Sequence, residues 1–113
     1  MECGQILLVD YPFTDHVGSK LRPALVVSAD KFNQHEDFVA VPISAKNDLS
    51  DPHVFYLDAS QAWFGATRLR PESRFVRWSK LMTMTTRVVH RQLGRMPPAQ
   101  LEVIREQIRK IFG

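Results

Sequence analysis

With a single cysteine, Cys3, the 113-residue chain cannot close an intrachain disulfide, so neither a secreted disulfide scaffold nor a cysteine cage for a metal can be built from it. Long apolar runs are also missing. The opening MECGQILLVDYPF carries Glu2 and meets Asp10 after a short hydrophobic stretch, which reads as neither a signal peptide nor a membrane span. His35, His53 and His90 show no metal-ligand spacing among themselves or with Cys3. There is no glycine-rich phosphate loop, no Gly-x-Ser-x-Gly nucleophile turn, no repeat and no dividing linker. These absences predict one domain over 1–113, soluble in a reducing cytoplasm, with no metal, no cofactor and no membrane partner.

An apolar content of 44% suffices for one modest core. The net charge of +3 is unevenly placed. Residues 67–95 hold eight basic side chains (Arg68, Arg70, Arg74, Arg77, Lys80, Arg87, Arg91, Arg95) against the one acid Glu72, so this stretch carries +7 and the remainder −4. Clustered Lys and Arg of this kind suit either a polyanionic partner or a solvated basic face.

Short runs of branched and aromatic residues alternate with turn chemistry, the pattern of a small β-barrel or sandwich. Strands are expected at 5–11, 24–28, 38–43, 53–57, 73–77 and 88–95. The second is a continuous apolar run, as if covered on both sides, and Pro42 puts the end of the third at an edge or bulge. The connection SAKNDLSDP is rich in turn formers. A short helical turn is expected at 58–63. PPAQLEVIREQIRKIF predicts a longer helix with Leu101, Ile104, Ile108 and Ile111 on one face, prolines at its start and Arg109 and Lys110 at its negative end, packed as a lid.

In GSKLRPALVVS, Pro23 keeps Arg22 out of helical backbone and sets the next φ, so the guanidinium is aimed as the chain enters the second strand, while Gly18 and Ser19 leave the preceding loop small and mobile. On local sequence alone, such an arginine more commonly pairs with a surface carboxylate than binds a ligand.

The order of these pieces resembles the MazF/PemK (Kid) toxin family from end to end. The motifs are Gly4-Gln5-Ile6, Val9-Asp10, Arg22-Pro23, the apolar run 24–28, VPIS at 41–44, HVFYLD, a basic strand region and an amphipathic helix. The resemblance implies an SH3-like barrel, mainly β with a C-terminal helix. It also implies a homodimer that cuts single-stranded RNA without metal, and a cognate antitoxin as partner. Arg22 and Ser44 match the arginine and hydroxyl at the heart of the family's site, and His16 lies in a loop where some relatives carry a histidine. Arginine can bond two phosphate oxygens at once but cannot act as a base; the Ser44 hydroxyl can hold the attacking 2′-hydroxyl in line, and His16 has the intrinsic pKa for proton transfer. Lys20, Arg68, Arg70, Glu72 and Arg74 are the expected RNA contacts, with Trp63, Phe64 and Trp78 as base-stacking or core aromatics. Some relatives place an acid near the start of the fifth strand at a position matched here by Pro71, which leaves the base open between Glu72, His16 and electrostatic help alone. Two alternatives stand beside the nuclease: a CcdB-like gyrase poison on the same fold, and a decayed nuclease that binds RNA or an antitoxin without cutting.

Overall fold

The computed structural model describes residues 1–12, 19–46 and 50–113. Seven antiparallel strands follow one another as β1 (Gln5–Pro12), β2 (Ser19–Val26), β3 (Asp37–Ser44), β4 (Phe55–Tyr56), β5 (Phe75–Val76), β6 (Met82–Thr85) and β7 (Val89–Arg95). Helices α1 (Ala62–Gly65) and α2 (Pro98–Ile111) complete the fold, with two short 3₁₀ turns. The strand order is β4-β5-β3-β2-β1-β7, and β6 pairs with the first half of β3.

Apolar runs in β1 and β2 are unbroken because both faces of these strands are covered. Ile6 and Leu25 join a cluster with Val41, Ile43, Leu93, Met96, Leu101 and Ile104; their neighbours Leu7, Val9, Ala24 and Val26 join a second cluster with Phe38, Ala40 and Met84. Full burial of each such branched side chain contributes about 1.5–3 kcal/mol, so the two clusters together hold the central strands in register. The first cluster lies under α2, which starts at Pro98 and buries Leu101 and Ile104.

Several expected boundaries move. β2 begins at Ser19 rather than 24, because residues 19–23 pair with β1 alone; Ser19, expected in a loop, is strand, while Gly18 lies outside the described residues. β4 and β5 shrink to two residues each. β6 has no counterpart among the expected strands: its MTMT sequence gains strand geometry only from β3, through Phe38 opposite Met84 and Ala40 opposite Met82. Ile111, expected on the packed face of α2, is 47% exposed.

Candidate nucleic-acid cleft

Two prolines mark the point where the sheet opens. β2 and β3 share a ladder only over residues 24–26 and 40–42; beyond Pro42, β3 pairs with β5, Ile43 beside Val76 and Ser44 beside Phe75. Neither Pro23 nor Pro42 has an N–H to offer, so both strands lose a donor where they separate. Arg22 lies two residues before Ala24 and Ser44 two residues after Pro42. The parted strand ends therefore put Arg22 on one side of the gap and Ser44 on the other.

A cleft of about 570 Å³ occupies this gap, lined by residues 20–23 on one side and 43–46 on the other. Leu8, Leu69, Leu93, Pro23 and Ile43 make its apolar part. Six cations line it, Lys20, Arg22, Lys46, Arg68, Arg70 and Arg91, and among the described residues no carboxylate does. Lys20, Lys46, Arg68, Arg70 and Arg91 make no ion pair with any described residue. Leu21, 46% exposed, stands among these charges.

Backbone contacts place Arg68 and Arg70. After α1, the Thr67 hydroxyl donates to the Phe64 carbonyl at 2.7 Å and accepts the Leu69 amide at 3.1 Å, while the Arg68 amide donates to the Leu93 carbonyl of β7 at 2.7 Å. Gly94 permits this approach: a Cβ there would stand 2.6 Å from Thr67 Cγ2 and 3.2 Å from its Cα. The Ser44 hydroxyl is held locally. Its Oγ accepts the Lys46 amide at 3.1 Å, and the return bond to the Lys46 carbonyl is long, 3.4 Å, which leaves its proton weakly engaged. Beside Arg22, on the same face of the β1–β2 ladder, lies Tyr11. Burial pushes the Tyr11 phenol up from its ordinary pKa and the Arg22 charge opposes this only in part, so the ring is a neutral neighbour at neutral pH.

A family model for PemK-like, MazF-like toxins of type II toxin-antitoxin systems matches residues 2–112. The chain belongs to this family. Among solved structures, the MazE–MazF complex of Deinococcus radiodurans (Form-III) is similar to it with a TM-score of 0.76 at 22% identity, covering 100% of this chain and 96% of that one. An endoribonuclease from a Mycobacterial species, solved in complex with its cognate antitoxin, gives 0.69 at 22% identity over 100% and 93% of the two chains. The Mycobacterium tuberculosis toxin MazF-mt6 gives 0.66 at 16% identity over 96% and 95%. Comparison with curated protein sequences gives no match. The MazF-like fold expected from the sequence is thus the observed one.

Of the residues singled out in this MazF-like chain, Lys20, Arg22, Ser44, Arg68 and Arg70 line the cleft together. Glu72 and Arg74 do not. The chain turns at residues 71–72, with the Arg74 amide on the Glu72 carbonyl at 3.0 Å; Glu72 is left exposed, and the Arg74 guanidinium lies 5.1 Å from the centre of the Tyr56 ring. His16 lies outside the described residues. Phe64 and Trp78 are core side chains, and Trp63 packs half-buried against that core. Lys46 and Arg91 were missed. Lys46 reaches the cleft only because β3 leaves β2, and Arg91 only because β7 sets it opposite Leu8. No helix among the described residues is long and apolar enough to cross a membrane.

Proposed function

We propose that this chain is the toxin of a type II pair, an endoribonuclease that cleaves single-stranded RNA without metal, working as a cytoplasmic homodimer restrained by a cognate antitoxin. One observation carries the reading: Arg22 and Ser44, 22 positions apart in sequence, line one cleft with five further cations and no described carboxylate. The cations suit phosphates, and the apolar part suits the faces of unstacked bases. Among the described residues the cleft lining offers a divalent ion no carboxylate, and its side chains would supply the positive charge.

In the proposed reaction the ribose 2′-oxygen attacks the adjacent phosphorus and the bond from phosphorus to the 5′-oxygen breaks, leaving a 2′,3′-cyclic phosphate and a 5′-hydroxyl. Arg22 bonds the non-bridging oxygens as charge builds on them. Ser44 accepts from the 2′-hydroxyl and donates to phosphate, holding attack in line. The 2′-proton passes to a base, for which His16 is the candidate carried by the family resemblance, and the departing 5′-oxygen takes up a proton from solvent to become the 5′-hydroxyl. An antitoxin with an acidic, flexible tail would fill the same cationic cleft, and proteolysis of that tail would free it.

The test is cleavage of a long RNA by purified protein in excess chelator, with analysis of the new ends. Discrete cuts ending in cyclic phosphate, strongly slowed by Arg22→Ala and less so by Ser44→Ala, are expected. RNA left intact by folded wild-type protein contradicts the proposal; gyrase stalled on DNA in its place would mark a CcdB-like poison.

A further inference from the structure

Arg77 belongs to the basic stretch, yet its charge is directed inward. It follows β5, and its amide donates to the Pro42 carbonyl at 3.0 Å, so its backbone is fixed where β3 changes partner. Its guanidinium forks. Nη1 donates to Asp51 Oδ2 at 3.1 Å and Nη2 to the Lys46 carbonyl at 2.9 Å. The side chains of Arg77 and Asp51 are only 13% and 14% exposed. The other carboxylate oxygen, Asp51 Oδ1, accepts the His53 amide at 2.9 Å and lies 3.4 Å from His53 Nδ1. The imidazole in turn meets the buried Trp78 edge-on, ring centres 5.0 Å apart. At the other end, the Lys46 amide donates to Ser44 Oγ. Contacts therefore run without a break from the Ser44 hydroxyl through Lys46, Arg77, Asp51 and His53 to the core.

A planar fork with two fixed donors holds two acceptors at a set separation, which a lysine ammonium cannot do. Here the two acceptors, Lys46 and Asp51, stand five positions apart within the β3–β4 connection. Taking both charges out of water is costly, and removing one partner strands the other, so this pair contributes geometry more than net stability.

We propose that Arg77, with Asp51, is a positioning residue for RNA cleavage: it pins the Lys46 backbone so that its amide stays on Ser44 Oγ. Arg77 itself does not touch RNA. The inference rests on the reading of Arg22 and Ser44 as the cleavage pair.

Steady-state cleavage of a single-stranded oligoribonucleotide with one cut site tests it, using wild type, Arg77→Met, Arg77→Lys, Ser44→Ala and the Ser44→Ala/Arg77→Met double variant, at a temperature where melting curves show each folded. Because a displacement of about 1 Å in such a site can cost about a hundredfold, Arg77→Met is expected to lower kcat by about ten- to a hundredfold while KM changes less than about twofold. Arg77→Lys recovers part of this. In the Ser44→Ala background, Arg77→Met is expected to add less than about a twofold loss, since the group it positions is gone. A raised KM with unchanged kcat would make Arg77 a direct RNA contact and overturn the inference, as would equal losses in both backgrounds. If Arg77→Met does not fold, Arg77→Lys carries the test, with the same split and the same dependence on Ser44 at smaller size; wild-type kinetics in that variant overturns the proposal. Wild-type kinetics in Ser44→Ala would instead sink the cleavage-pair reading, and this inference with it.

Discussion

Helix α2 and the cleft use the same side chains in opposite ways. On α2, Arg109 donates to Glu102 at 2.6 Å and to Glu106 at 2.9 Å, and Arg105 stands 3.9 Å from Glu102. These cations are neutralised where they stand, and the pairs are exposed, so they do little for stability. The cleft gathers Lys20, Lys46, Arg68, Arg70 and Arg91 from four parts of the chain and gives none of them a described acidic partner. Self-repulsion there works against folding and favours an anion from outside. Net charge is therefore a poor guide to where a polyanion binds; the decisive quantity is cations without carboxylates on a shared surface.

The sharpest way to break the comparison is at its centre. Arg22→Ala is expected to slow RNA cleavage by about a hundred- to a thousandfold, the usual loss of a preorganised donor to an oxyanion, measured by gel or end-labelled kinetics; Ser44→Ala is expected to lose less. Next come the other cleft cations. Replacing Lys46, Arg68 or Arg91 by Gln should weaken RNA binding and reduce the slope of log affinity against log salt by about 0.7 for each phosphate no longer neutralised, whereas Arg105→Gln and Arg109→Gln on α2 should leave it unchanged. Fluorescence titrations over a salt series distinguish the two regions, and equal slopes for both sets would erase the distinction.

A smaller effect is expected at Gly94. Alanine there forces Thr67 outward, costing about 1–3 kcal/mol as an overpacking change and moving Arg68 and Arg70 off the cleft, which a melting curve and a binding titration would read together. The smallest concerns α2. Arg109 holds the exposed Glu102 carboxylate below its ordinary pKa, chiefly by hydrogen bonding. A lowered folded-state pKa gives a contribution present above the unfolded value and lost as pH falls through the folded one. Glu102→Gln should therefore flatten slightly the acid side of the stability curve while leaving RNA cleavage at neutral pH unchanged, as paired melts and assays would show.

Much of the scaffold could be read from residue pattern. The runs in β1 and β2, the turn-rich stretch after β3 and the helix over Leu101 and Ile104 follow from local burial and turn chemistry. β6 was not read this way: its MTMT alternation is only four residues long, and the strand is ordered by its pairing with β3. Pro23 pointed to an extended entry into β2 and Pro42 to an edge or bulge, but neither to the fact that both prolines border one gap. The cleft's membership is non-local: Arg68 and Arg70 arrive through Gly94, Lys46 through the parting of β3 from β2, and Arg91 through its register with Leu8. Charge alone did not separate Arg70, which faces the cleft, from Arg74, laid over Tyr56, or from Arg77, clamped to Asp51 and Lys46.

A structure of the protein bound to a single-stranded RNA, made uncleavable by a 2′-deoxy substitution at the nucleotide where it is cut, would test the central claim most directly. The scissile phosphate is expected within hydrogen-bond reach of both the Arg22 guanidinium and Ser44 Oγ, between the parted ends of β2 and β3. A phosphate bound elsewhere on the surface, with those two side chains facing empty solvent, would contradict it.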